Sequence, residues 1–148
     1  MVSVSGYPDA FRTADELNTT LKLFTAVLKE TGTGIQSQGN HRKVQLSDEN
    51  DPRLNEQLRS ASMGLSLLFV VLPKEKMDIY DRIKTLCDVE FGLATVCAVG
   101  SKLCKNQDQY FRNLALKFNL KLGGQTKKSR RSAQAFLMRT RPWLLALT

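Results

Sequence analysis

Four side chains in this sequence have the types and spacing to hold an anionic ligand with a flat ring beside it. Tyr80 and Lys84 stand four residues apart, and so do Lys117 and Lys121. On a helix that interval sets both members of a pair on one face. A tyrosine ring with a polar tip can stack on a nucleobase, a contact worth about 1–3 kcal/mol. Three lysines can surround one phosphate as point charges. Each residue also has a plainer role, Tyr80 as a tyrosine at the edge of the core and the lysines as solvated helix faces. Spacing alone does not choose between these roles.

Other chemistry finds little support. There is no GxGxxG and no GxxxxGKS/T to cradle phosphates with backbone amides. A GxSxG nucleophile elbow is also missing. Asp78, Asp81, Asp88 and Glu90 surround one helix without the spacing of metal ligands. The cysteines, Cys87, Cys97 and Cys104, are odd in number and form no CxxC, so reduced, mostly buried thiols are expected. His41 is the only histidine, which leaves a Ser-His-Asp set without support. Nothing here makes an enzyme, and no cofactor or metal is expected.

The elements that would carry the four residues follow from periodicity. Val2 to Ser5 suits a short strand, and Gly6-Tyr7-Pro8-Asp9 a turn. Thr13 and Glu16 form a capping box, and Leu17, Leu21, Phe24 and Leu28 extend a helix from about 13 to 30. Lys43 to Leu46 alternates like a strand. Asp51-Pro52 opens a second helix through Leu54, Leu58 and Ala61, with Asp51 as its N-cap. The run Leu65 to Leu72 is apolar on both faces, as in a central parallel strand covered by helices on each side. Pro73 ends it, and the polar loop from Lys74 to Asp78 follows. Ile79, Ile83 and Leu86 then mark the buried face of a helix, with Tyr80 and Lys84 at its edge. Leu93 to Val99 reads as a second central strand. Tyr110, Phe111, Leu114, Ala115 and Phe118 mark a last helix, with Lys117 and Lys121 beside its buried face and Gly123-Gly124 as its cap. Alternating strands and helices predict an α/β, Rossmann-like single domain: a small, mainly parallel sheet with helices on both faces. Such folds bind ligands beyond the carboxyl ends of the strands, here the loop after Leu72 and the residues from Val96 to Gly100.

The bulk properties agree with one ordinary globular domain. At 148 residues the chain can bury a real core, and 42% hydrophobic with 24% charged residues excludes a disordered composition. No apolar run reaches the roughly 20 residues of a membrane helix, and the N-terminus lacks a signal-peptide pattern. A cytoplasmic protein without membrane contact is expected. The net charge of +8 points to nucleic acid, but Lys127, Lys128, Arg130, Arg131, Arg139 and Arg141 account for six of those charges and leave +2 for the body. An anionic ligand must therefore be argued from the local lysines.

Val70-Val71-Leu72-Pro73, then Tyr80 and Lys84, then Gly92-Leu93-Ala94-Thr95, then Leu116 to Gly124 resemble, in order and spacing, the Mid domain of eukaryotic Argonaute proteins. The closing LKxNxKLGG string is the most specific piece. The likeness covers about residues 2–124, including Gly34-Ile35-Gln36, and within the family it is best for a fungal, quelling-type Argonaute. The resemblance implies a binding module for the 5′-monophosphorylated end of a small guide RNA, acting in RNA silencing beside the Piwi domain of the same full-length protein. It implies Tyr80 as the stacking tyrosine, Lys84, Lys117 and Lys121 as phosphate ligands, and Lys74, Glu75, Lys76, Met77 and Asp78 as the loop that reads the first base, with uracil or adenine favoured. Many relatives carry a phosphate-contacting glutamine beside a conserved cysteine. Here Val96 precedes Cys97, and valine donates no side-chain hydrogen bond, so Thr95 or backbone amides are expected to substitute.

Two rivals remain: a small Rossmann-like nucleotide enzyme, disfavoured by the absent glycine loop, and a nonspecific basic RNA binder driven by the tail. Residues 125–148 do not resemble the Argonaute continuation. One choice of codons for Arg141 to Thr148, read one frame over, gives Thr-Met-Val-Val-Gly-Ile-Asp, close to the expected Piwi strand. The expectation is a frame-shifted, basic passenger tail; the alternative is a lineage-specific extension.

Overall fold

The computed structural model describes residues 1–5, 8–33, 43–75 and 78–123. In chain order these form β1 (Val2–Val4), α1 (Ala14–Glu30), β2 (Val44–Leu46), α2 (Arg53–Ser62), β3 (Leu67–Leu72), α3 (Asp78–Lys84), β4 (Ala94–Val99), α4 (Gly100–Leu103) and α5 (Asp108–Lys121). The architecture is the expected small α/β domain with parallel pairing. The described strands form two pairs, β1 with β2 and β3 with β4, each parallel.

Local chemistry explains most boundaries. The Thr13 hydroxyl accepts the Glu16 N–H at 3.2 Å and so caps α1, while Glu16 reaches back to the Arg12 N–H at 2.7 Å. At α2 the Asp51 carboxylate accepts the Arg53 N–H at 3.0 Å, and Pro52 already has helical backbone angles. Two features were not legible in the periodicity. The helix begun by α3 continues as a π-helical segment, Thr85–Phe91, which ends at Gly92 with φ +61. Only glycine adopts that conformation at little cost, and its N–H closes the segment on the Cys87 carbonyl. The short helix α4 then follows β4 directly.

The pair β3–β4 is the central layer. Leu67 aligns with Ala94 and Leu72 with Val99, so both strands end level at their carboxyl ends. Alternation divides β3 between two cores. Leu68, Val70 and Leu72 face Leu54, Leu58, Ile79 and Ile83, whereas Phe69 and Val71 face Phe24, Phe111 and Phe118. The Phe24 ring lies 5.4 Å from Phe69, 5.6 Å from Phe111 and 5.5 Å from Phe118, centroid to centroid, which locks α1 and α5 onto one face of the sheet. α2 and α3 cover the other face, so β3 is buried on both sides, as its uninterrupted apolar run requires.

Gly100 sits where β4 ends. A Cβ there would lie 2.7 Å from the Ala10 Cβ and 3.3 Å from the Leu72 carbonyl oxygen. Only glycine allows the chain to turn into α4 so close to the end of β3.

Candidate functional site

An open cleft of about 630 Å³ lies beyond the carboxyl ends of β3 and β4. Leu72, Cys97, Ala98 and Val99 contribute from the strands, Lys74 and Glu75 from the loop after β3, and Asp78, Tyr80 and Asp81 from α3. The parallel β3–α3–β4 connection creates this position, because both strands deliver their ends to one rim and α3 starts at that rim.

Tyr80 is 41% exposed and lines the cleft. Partial burial pushes its hydroxyl pKa up, with smaller contributions from Cys97, Asp81 and Asp88. One turn later, Lys84 extends its ammonium to Thr95 on β4. Nζ donates to both the carbonyl and the hydroxyl oxygen of Thr95 at 2.8 Å, and lies 5.8 Å from the Tyr80 ring centroid. An ammonium has three N–H groups, so one remains for a ligand.

Lys117 and Lys121 stand exposed on α5 and make no hydrogen bond or ion pair among the described residues. Burial pushes the Cys97 thiol up to about 11, and the charges of Lys84, Lys117 and Lys121 all oppose that rise. The thiol stays protonated at neutral pH, and Lys84, Thr95, Lys117 and Lys121 are not among the residues that line the cleft.

Thr95 and Cys97 lie on the sheet face that α3 covers. Val96 does not join them. Its side chain is 2% exposed and belongs to the opposite core with Phe24, Phe69 and Phe118. Strand alternation decides this: neighbours on β4 point to opposite faces. Lys74, Glu75 and Asp78 line the cleft, and Glu75 pairs with Lys102 of α4, whereas Lys76 and Met77 lie outside the described residues. Also outside them are His41, the segment Gly34-Ile35-Gln36, Gly124 and the tail from 125 to 148.

Sequence reasoning missed residues that act behind the cleft. The Tyr110 hydroxyl accepts the Val99 N–H at 3.1 Å, tying the start of α5 to the end of β4. Asn119, inside the LKxNxKLGG string, accepts from the Thr33 hydroxyl at 2.6 Å and fastens α5 to the end of α1. Polar residues between apolar ones on a helix gave the only signal for them.

The Piwi domain family profile matches residues 67–138. That span holds β3, the cleft and α5, and runs on into the tail. Protein argonaute 1B of Oryza sativa subsp. japonica is 37% identical over 68 residues, 46% of this chain and 6% of that protein. Protein argonaute 12 of the same organism is 37% identical over 92 residues, 60% of this chain and 9% of that protein. This chain is homologous to the Argonaute family. It spans less than a tenth of the length of these curated Argonaute relatives. In fold it is similar to the crystal structure of the AGO5 MID domain of Arabidopsis thaliana, with a TM-score of 0.65 at 23% identity over 82% of this chain and 84% of that one. Among the described residues no group of three or more His, Cys, Asp or Glu could hold a metal ion, and no helix is long and apolar enough to cross a membrane.

Proposed function

We propose that this Argonaute homologue is a Mid-type binding module for the 5′-monophosphorylated terminal nucleotide of a small guide RNA. The phosphate is taken by Lys84, Lys117 and Lys121, with Thr95 and Cys97 of β4. The first base stacks on Tyr80, and the loop from Lys74 to Asp78 reads its edge. The observation that supports this most is the Lys84 ammonium, held at 2.8 Å by both oxygens of Thr95 and 5.8 Å from the ring centroid of Tyr80, which is partly exposed at the cleft. An ammonium held against Thr95 is already placed for a phosphate, so little side-chain ordering remains to be done on binding.

On this reading the module works in RNA silencing, in the cytoplasm, within a longer chain whose Piwi domain shares the guide. It does no chemistry of its own. Its assignment to a fungal, quelling-type Argonaute rests on sequence resemblance alone. Residues 1–124 are the module and 125–148 a separate basic tail.

Titration with matched RNA oligonucleotides, with and without a 5′-phosphate, tests the proposal. Tighter binding of the phosphorylated form by about tenfold or more is expected, since each hydrogen bond to a charged group contributes about 1.5–3 kcal/mol. Equal affinity for both forms refutes it and favours nonspecific binding through the tail.

A further inference from the structure

We infer that Arg82 is a positioning residue for the guide end, acting through α3 on Tyr80 and Lys84. This rests on the reading of those two side chains as guide ligands. Arg82 lies two residues after Tyr80 and two before Lys84, about 200° round the helix from each, so it points away from the cleft. There its guanidinium grips a different part of the chain. Nη1 donates to the Glu49 carbonyl at 2.7 Å, and Nη2 donates to the Asp51 carbonyl at 3.0 Å and to Asn55 Oδ1 at 2.5 Å.

The gripped segment is itself held. The buried Asp51 carboxylate accepts from Ser47 N and Oγ, both at 2.8 Å, and from Arg53 N and Nε, both at 3.0 Å. Arg82 therefore connects α3 to a braced turn and to the first turn of α2. That connection matters because α3 and the π-helical segment that continues it are together short enough to be marginal in isolation. Ile79 and Ile83, both fully buried, hold one side. Apolar contacts of that kind resist lifting of the helix more than its rotation or sliding, because they are non-directional. The forked hydrogen bonds of Arg82 supply direction on the far side, and so set where Tyr80 meets the base and where Lys84 meets Thr95. Lysine cannot reproduce a three-acceptor fork.

The test measures the affinity ratio of 5′-phosphate over 5′-hydroxyl RNA for the 148-residue protein and for Arg82→Met, Arg82→Lys, Asn55→Ala and Asn55→Asp. Arg82→Met should lower the ratio by about fivefold, the low end of typical coupling between sites. Arg82→Lys should not restore it. Asn55→Ala should give a smaller loss, and Asn55→Asp, which keeps the acceptor, should retain the wild-type ratio. Binding is read well below each melting temperature. An Arg82 that is merely structural would lower melting and leave the ratio of the folded protein unchanged, which overturns the inference. If Arg82→Met does not fold, Asn55→Ala decides, and an unchanged ratio there overturns it as well. A wild-type ratio of one instead refutes the guide-end reading itself.

Discussion

Replacing Lys84 by methionine separates two roles that one ammonium combines. Methionine keeps most of the apolar stem and removes the charge. In the folded protein Lys84 supplies two hydrogen bonds of 2.8 Å to Thr95, whose side chain is almost fully buried. Hydrogen bonds to a charged group contribute about 1.5–3 kcal/mol, and a buried hydroxyl left unpaired costs about 1–3 kcal/mol. Lys84 is only half-buried, so solvent competes and the desolvation cost of the ammonium is recovered on its removal. A net loss of about 2 kcal/mol follows, or roughly 8 °C in melting temperature for a domain of this size. Binding of a 5′-phosphorylated oligonucleotide should fall by about tenfold or more. Lys121→Met provides the contrast. Lys121 is exposed and unpaired among the described residues, so its loss should weaken phosphate-dependent binding about as much while melting stays within about 0.5 kcal/mol of the wild type. Thermal melting by circular dichroism and fluorescence-polarisation titration read the two effects separately. If Lys84→Met leaves the preference for the 5′-phosphate intact, the phosphate assignment of Lys84 is refuted. If it leaves melting intact, the argument from Thr95 is refuted.

Two further outcomes follow from the packing. Val96→Gln should lower melting by about 1–3 kcal/mol without tightening binding, because the amide would enter the aromatic core without a partner; tighter binding with unchanged melting would show that position 96 reaches the phosphate after all. The Arg53 guanidinium, helped by the Ser47 and Arg53 amides, holds the Asp51 carboxyl far below the usual carboxylate range. A carboxylate whose pKa is depressed on folding stabilises the protein fully above its unfolded pKa of about 4, and progressively less as pH falls towards the folded value. Wild type should therefore melt above Asp51→Asn at pH 7, with the gap narrowing below about pH 4; a gap that widens in acid would contradict the assignment.

Periodic and local signals carried most of the fold. The capping box at Thr13, the helical repeat Leu17–Leu21–Phe24–Leu28 and the doubly apolar run ending at Leu72 are written in neighbouring residues, and the structure has the corresponding elements where they were expected. The four-residue spacings of Tyr80 with Lys84 and of Lys117 with Lys121 placed each pair on a common helical face, and the β–α–β order placed the cleft at the strand ends.

What the sequence alone could not settle depends on which distant surfaces meet. Lys84 reaches Thr95 only because β4 returns parallel to β3 in a register that aligns Leu72 with Val99. Val96 turns into the aromatic core, and Thr95 and Cys97 to the other face, because one residue of register exchanges the two faces of a strand. Arg82 finds its acceptors 27 to 33 residues earlier in the chain, and Asn119 finds Thr33 across 86. No local pattern encodes such pairs. Their energy is realised only once the two cores have brought the helices onto the sheet, so tertiary packing, and not helical spacing, decides how the lysines and the tyrosine are aimed.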